Sequence, residues 1–147
     1  MHGDGGVNCD FCSLDRFGDA GLLLESELSF FACDAFGDAQ VLPGGGILCP
    51  RAHRETPFDL TPEEWADTHE LLRRAKSALD ERLHPDGYNL IWNVKPDGGQ
   101  EVAHAHLHVI PRFHDEPLAG RGARWHLKQV ENRRPRPLAW GEGRALP

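Results

Sequence analysis

The segment from Val102 to Arg112 restricts the fold more than any other, because histidine recurs there at every second position. Histidines stand at positions 104, 106 and 108, with alanine or leucine between them. Side chains of a strand point alternately to its two faces, so His104, His106 and His108 would line one face of a sheet. Successive imidazoles would lie about 6.6 Å apart. Three groups titrating near pH ~6.5 in strict alternation indicate acid–base, nucleophilic or metal chemistry.

Other segments predict the rest of an antiparallel sheet. Leu22–Cys33 is typical of two strands with a tight turn near Glu25-Ser26, and the last part of Val41–Pro50 predicts a strand entered through glycines. Tyr88–Asn93 predicts a further strand before a turn-rich loop. About five mostly sequential strands with one main helix favour an α+β fold built on an antiparallel sheet.

The main helix has clear start and stop signals. Thr61 is a typical N-cap, Pro62 suits the first helical position, and Glu64 completes a capping box. His84-Pro85-Asp86-Gly87 ends the pattern. The predicted apolar face contains Trp65, His69, Leu72, Ala75, Leu79 and Leu83. The helix is expected to pack on the sheet without contributing residues to a site.

Charge divides the chain into an acidic body and a basic tail. The net charge is −7, with 8 Lys or Arg against 19 Asp or Glu in residues 1–111, and 8 against 4 in residues 112–147. An acidic body argues against binding of duplex nucleic acid, although a small phosphorylated ligand remains possible. No apolar run approaches 18 residues, so we expect no membrane segment and a cytoplasmic protein. The predicted organisation is a flexible segment 1–7, a domain over 8–114 and a basic Pro/Arg/Trp-containing C-terminal extension over 115–147.

The four cysteines fall into two groups. Cys33 and Cys49 lie within apolar, strand-like runs and are expected to be core thiols. Cys9 and Cys12 form a C-x-x-C, for which a redox motif, a metal site and chance all remain open. No βαβ pattern follows them, which disfavours a thioredoxin-like function.

Several motifs in the same order resemble the histidine triad family. Gly99-Gln100-Glu101-Val102 precedes the histidines, and the pattern His-x-His-x-His ends in two apolar residues. Other segments agree with the family pattern in the same order, namely Cys9–Cys12, the strand from Pro43 to Pro50, His53 and the helix start at Phe58–Glu63. The resemblance covers about residues 8–114. It implies a dimeric nucleotide-binding fold that performs nucleotidyl transfer or hydrolysis at an α-phosphate.

The resemblance also implies roles for individual residues. His106 would be the nucleophile that forms a nucleotidyl-histidine, His108 would contact phosphate or protonate the leaving group, and His104 would support the row. Amide or guanidinium contacts to phosphate would come from Asn93, Gln100 and Arg112. Base or ribose contacts would come from Phe11, Phe36 and Asp38, although core packing accounts equally well for the two phenylalanines.

Members of the family with a C-x-x-C bind zinc, and the resemblance carries that site over to Cys9, Cys12, His53 and His104. Two thiolates and two imidazoles form a closed tetrahedral set, which suits structural rather than catalytic zinc. This chain departs from the family pattern at Gly45, where histidine is common, and at Gly37, where Asn or Asp is common. The substrate end of the pocket is therefore expected to differ.

Three functions are in competition. The leading hypothesis is a hydrolase of dinucleoside polyphosphates such as diadenosine tetraphosphate, with a nucleoside phosphoramidase as the related alternative. A second hypothesis uses His104, His106 and His108 as ligands of a catalytic zinc. A third is a non-catalytic nucleotide-binding protein, which would have no need of His106.

Overall fold

The computed structural model describes residues 9–34 and 41–140, and its elements follow one another in the expected order. The strands are β1 (Leu22–Glu25), β2 (Ser29–Cys33), β3 (Gly46–Pro50), β4 (Gly87–Trp92) and β5 (Leu107–Arg112). The α-helices in the described residues are α1 (Pro62–Leu83) and α2 (Ala123–Leu127). Short 3-10 helices span Leu14–Phe17, Pro57–Asp59, Pro96–Gly98 and Val130–Asn132. The predicted flexible segment 1–7 lies outside the described residues, and the boundary at residue 115 stays a prediction.

The strands form one antiparallel sheet in the order β1-β2-β3-β5-β4. The predicted α+β fold with five strands and one main helix is therefore confirmed. β5 lies between β3 and β4, so His108 has Ile47 on one side and Ile91 on the other. This register brings the histidine strand next to the strand that ends at Pro50, and β4 forms one edge of the sheet.

Helix α1 begins with the predicted capping box. The Thr61 hydroxyl accepts from the Glu64 amide at 3.1 Å, and the Glu64 carboxylate accepts from the Thr61 amide at 2.8 Å. The predicted apolar face is confirmed in the later turns, where Ala75 and Leu79 are buried and Leu72 and Leu83 pack against the core. In the first turns it is wrong by one position, since Glu64 and Thr68 are buried in place of Trp65 and His69. Trp65 instead packs against Trp92 near the sheet edge with ring centroids 5.7 Å apart. Glu64 is buried because its carboxylate pairs with Arg54 at 3.0 Å.

Apolar side chains pack on both faces of the sheet, because successive residues of a strand point to opposite sides. On one face Phe31, Leu48 and Val109 pack against α1. On the other, Phe30 and Ile47 pack against Phe11 and Phe17 of the N-terminal segment, by which we mean residues 9–21, which precede β1. Cys33 and Cys49 are both buried, which confirms them as core thiols. Within the described residues, no helix has the length and apolar character needed to cross a membrane, and the expected cytoplasmic location stays a prediction.

Candidate active site and the adjoining Cys/His cluster

The three histidines do not all lie on one strand. β5 begins at Leu107, so His108 is its second residue, while His104 and His106 lie in the segment before it. The β3–β5 ladder stops at the Leu48–Leu107 pair, and beyond it the Ala105 amide donates to the Arg54 carbonyl at 2.6 Å. The predicted strand through position 104 is wrong for this reason. The rings of His106 and His108 still lie together, with centroids 4.9 Å apart.

His106 is held in one orientation by the main chain. Its Nδ1 lies 2.8 Å from the carbonyl oxygen of His104, and because a carbonyl only accepts, Nδ1 carries the proton. The neutral ring then has its lone pair on Nε2. Phe11 packs edge-on against the same ring at 5.0 Å, and His106 is 6% exposed. An imidazole with a fixed tautomer and a basic Nε2 is suited to nucleophilic attack.

A cavity of about 610 Å³ lies beside His106 and His108. The N-terminal segment lines it with Asp10, Phe11 and Arg16, and the loop between β4 and β5 lines it with Asn93, Gly99, Glu101 and Val102. Its volume is in the range of ordinary small-molecule sites, roughly 300–1,000 Å³. Of the predicted substrate contacts, Asn93 and Phe11 therefore lie at the cavity.

The Gln100 side chain is hydrogen-bonded to backbone groups on both sides of the loop that it belongs to. Its Nε2 donates to the carbonyls of Glu55 at 2.6 Å and Val102 at 2.9 Å, and its Oε1 accepts from the Lys95 amide at 2.8 Å. Both amide hydrogens have backbone acceptors, so the side chain shapes the loop that leads to the histidines. A contact from Gln100 to phosphate stays a prediction.

Arg112 lies at the far end of β5 and binds the C-terminal extension. Its guanidinium donates to the Glu116 carboxylate at 2.6 Å and to the carbonyls of Leu118 and Arg121, each at 2.8 Å. It also contacts the Asn89 side chain. Four residues of extended strand, about 13 Å, separate Arg112 from His108, and its contact with phosphate stays a prediction. Phe36 and Asp38, the remaining predicted substrate contacts, lie outside the described residues.

The structure brings together the four residues of the predicted cluster, Cys9, Cys12, His53 and His104. Their ligand atoms all lie within 4.8 Å of one another. The Sγ of Cys9 lies 3.4 Å from the Nδ1 of His104, and the Sγ of Cys12 lies 3.2 Å from the Nδ1 of His53. The fold thus brings together four possible metal ligands, of which the first and the last, Cys9 and His104, are 95 residues apart in the sequence.

The His104 ring is oriented toward the cysteines by a second contact. Its Nε2 lies 2.8 Å from the Pro50 carbonyl and donates to it, which leaves the lone pair on Nδ1. Burial, with smaller contributions from the neighbouring His53 and His106, lowers the pKa of His104 to about 4 despite the opposing effect of the Pro50 hydrogen bond, so the ring is neutral at pH 7. A neutral imidazole with its lone pair aimed at two sulfurs is a suitable metal ligand.

The cluster fits a structural zinc ion. Burial and the neighbouring Cys9 raise the pKa of Cys12 to about 11, and a bound dication reverses this by deprotonating the thiols that coordinate it. Two thiolates and two imidazoles complete a tetrahedral shell. Because His104 turns its Nδ1 to the cysteines and its Nε2 to Pro50, it does not join His106 and His108 as the third ligand of a catalytic zinc.

Three charged residues of the cavity were not singled out from the sequence. Asp10 lies between the two cluster cysteines, Arg16 follows them in the 3-10 helix Leu14–Phe17, and Glu101 precedes the histidines. An arginine four residues after the C-x-x-C in a predominantly acidic body was the available signal for Arg16.

Comparison with known families and curated proteins gives consistent matches. The HIT domain model matches residues 19–115, which is 97 of the 147 residues. The bis(5'-adenosyl)-triphosphatase of Dictyostelium discoideum is 33% identical over 91 residues, covering 62% of this chain and 59% of that enzyme. This match therefore spans less than two thirds of the relative. The adenosine 5'-monophosphoramidase hnt1 of Schizosaccharomyces pombe is 29% identical, covering 81% of this chain and 84% of that protein.

Solved structures agree with the sequence matches. A HIT family protein from Bacillus anthracis has a TM-score of 0.67 and 30% identity, covering 86% of this chain and 89% of that one. A Zn-bound histidine triad family protein from Mycobacterium smegmatis has a TM-score of 0.60 and 30% identity, covering 79% of this chain and 83% of that one.

Proposed function

The chain belongs to the histidine triad (HIT) family, and from this we propose that it is a nucleotide hydrolase in which His106 becomes transiently nucleotidylated. The observation that carries the proposal is the 2.8 Å contact between the His106 Nδ1 and the His104 carbonyl. It keeps the proton on Nδ1 and leaves Nε2 as the nucleophile in a ring that lines the cavity.

The reaction takes place in two displacements. The His106 Nε2 attacks the α-phosphorus, a P–N bond forms, and the P–O bond to the leaving group breaks. The positive charge that develops on the imidazole is stabilised by the Nδ1–H donation to the His104 carbonyl. Water then attacks the nucleotidyl-histidine, which releases the nucleoside monophosphate and restores neutral His106.

Neighbouring residues support both steps. His108, whose ring is 4.9 Å from that of His106, delivers a proton to the leaving group and orients the attacking water. Asn93 lines the same cavity and donates to a phosphate oxygen. Phe11 packs against His106 and offers an apolar surface for the base.

Dinucleoside polyphosphates such as diadenosine tetraphosphate are the substrates that we propose. The name of the Dictyostelium relative and the cavity volume of about 610 Å³ support this class. A nucleoside phosphoramidase is the second candidate, favoured by the name of the fission yeast relative. Both would use the same His106 chemistry and differ only in the leaving group.

Zinc at the Cys/His cluster and a homodimer complete the proposal. The cluster would hold zinc as a structural ion that ties the N-terminal segment to His104, and the Zn-bound mycobacterial neighbour supports this. The position of β4 at the edge of the sheet supports pairing with a second copy, because edge strands present unpaired backbone groups.

The test is intact-protein mass spectrometry after brief mixing with diadenosine tetraphosphate or an adenosine phosphoramidate. With diadenosine tetraphosphate the leaving group is ATP, which departs as an anion with little need of a proton, so His108→Ala should slow the second step more than the first. In this variant we expect an added mass of one AMP. The adduct should be absent from His106→Ala and unchanged in His126→Ala, an exposed histidine of the C-terminal extension. An adduct that persists without His106 would overturn the proposed nucleophile, and turnover with no adduct in any variant would indicate direct attack by water.

A further inference from the structure

Only one charged side chain among the described residues that line the cavity has the positive charge that would attract a polyphosphate. Among the described residues that line the cavity, Arg16 is the single Lys or Arg, while Asp10 and Glu101 are carboxylates. Residues 1–111 as a whole carry 8 Lys or Arg against 19 Asp or Glu. Since each further phosphate of a nucleotide adds about one negative charge at pH 7, a polyphosphate chain depends on the few cations available.

Arg16 is attached to the site through a well-packed turn. It lies in the 3-10 helix Leu14–Phe17, whose Phe17 is 1% exposed, and the Ser13 hydroxyl caps that helix by accepting from the Asp15 amide at 3.2 Å. Phe17 packs on Phe11 at 5.9 Å, and Phe11 packs on His106 at 5.0 Å. The backbone of Arg16 is therefore fixed relative to the proposed nucleophile, while its long side chain extends to the cavity.

The guanidinium of Arg16 has an exchangeable partner. It pairs with the carboxylate of Asp10, and the two side chains are 61% and 48% exposed. An exposed ion pair contributes little stability, so its loss costs little. A guanidinium donates two parallel hydrogen bonds to a carboxylate, and a phosphate accepts the same pair of hydrogen bonds.

We propose that Arg16 forms a subsite for the phosphates beyond the α-phosphate, which displace the Asp10 carboxylate from its guanidinium when substrate binds. The inference rests on the proposed nucleotide-hydrolase function and deepens it. Arg16 would then select substrates with a polyphosphate chain over those, such as phosphoramidates, that carry no phosphate beyond the α position. Asp10 keeps the guanidinium at the cavity in the absence of substrate and competes with the phosphates for it.

Binding, measured apart from turnover, tests the subsite. Isothermal titration would compare AMP with ADP and ATP analogues whose α,β-bridging oxygen is replaced by methylene, so that His106 cannot be adenylylated. In the wild type each added phosphate should tighten binding, with a total gain of about tenfold from AMP to the ATP analogue. Arg16→Gln should abolish this gain and leave AMP affinity unchanged, while Arg16→Lys should retain part of it.

Two further variants separate the subsite from general charge effects. Asp10→Asn should tighten binding of the ATP analogue by about threefold, because the competing carboxylate is lost. Arg73→Gln removes the same charge from an exposed position on α1 and should change nothing. Thermal denaturation of Arg16→Gln and of the wild type shows whether the turn is still folded.

The outcomes distinguish this inference from the proposed function. Equal affinity for AMP and the ATP analogue in the wild type, or an Arg16→Gln variant that keeps the gain, would overturn the subsite even if the His106 adduct forms. A loss of AMP affinity as large as that of the ATP analogue would show that Arg16 acts only by holding the N-terminal segment. No binding of any adenine nucleotide would overturn the subsite, and an absent adduct would separately overturn the nucleophile.

Discussion

Replacing Glu64 tests how α1 is joined to the segment that carries the histidines. The Glu64 carboxylate is almost fully buried and accepts from the Thr61 amide at 2.8 Å and from the Arg54 Nε at 3.0 Å. The carbonyl of Arg54 in turn accepts from the Ala105 amide at 2.6 Å. One carboxylate therefore connects the first turn of the helix to the residue between His104 and His106.

The expected cost follows from these two contacts. Loss of a helix-capping hydrogen bond costs about 0.5–2 kcal/mol, and we take about 1 kcal/mol for the bond to Thr61. Because the Arg54 side chain is 35% exposed and can be solvated once unpaired, its contact contributes about 1 kcal/mol more. Glu64→Ala should therefore lower the free energy of unfolding by about 2 kcal/mol. Glu64→Gln keeps an acceptor for Thr61 and should cost about half as much.

The cost should also depend on pH. Burial raises the pKa of Glu64, but donation from Thr61 and pairing with Arg54 outweigh it and hold the pKa below the ordinary value. The stabilisation is therefore complete above the unfolded-state pKa, about 4.3, and is lost as the pH falls through the lower folded-state pKa. The difference in unfolding free energy between the wild type and Glu64→Gln should be constant from pH 6 to 8 and shrink below about pH 4.3.

Urea denaturation at several pH values measures these differences directly. Glu63→Gln is the matched control, because it removes a carboxylate from the same helical turn at an exposed position. A cost below about 0.5 kcal/mol for Glu64→Ala would refute the reasoning, since it is the range of ordinary surface substitutions. A difference that persists undiminished at pH 3.5 would refute the assignment of the low pKa to the native pairing.

Two further predictions concern the cluster and the C-terminal extension. Removal of zinc by a strong chelator, or Cys12→Ser, should lower the Tm by more than about 5 °C. The protein that stays folded should still form the His106 adduct. Loss of the adduct at an unchanged Tm would instead indicate a catalytic metal. Arg112→Ala should make the segment around Leu118 and Arg121 more sensitive to proteolysis and leave turnover within about twofold of the wild type, because its partners belong to the extension. A loss of turnover like that of His106→Ala would instead support Arg112 as a phosphate contact.

The features that sequence patterns predicted well are those encoded locally. The capping box at Thr61 and Glu64, the glycine approach to β3 and the two strands within Leu22–Cys33 depend on neighbours within a few residues, and the structure confirms each element. The cluster was predicted from the resemblance, because its four ligands come from three separate segments whose order matched the family pattern. Its assembly in the structure shows that those segments meet as expected.

The contacts that the sequence did not indicate involve partners that are distant along the chain. Glu64 is buried because Arg54 lies opposite it, which no helical periodicity indicates. Gln100 donates to the Glu55 carbonyl, 45 residues away. Arg112 donates to carbonyls of an extension whose sequence has little periodicity. A polar side chain next to a functional motif is equally compatible with ligand contact and with loop support until those partners are known.

The His104 carbonyl that orients His106 belongs to the main chain, and this affects how the site tolerates mutation. In hydrolases whose catalytic histidine is oriented by a carboxylate side chain, one substitution can remove the orienting group. Here a substitution at position 104 changes the ring but retains the peptide oxygen. Random mutagenesis should therefore find inactive variants at position 106 itself and at residues that displace the backbone, such as proline at position 105, whose amide donates to Arg54.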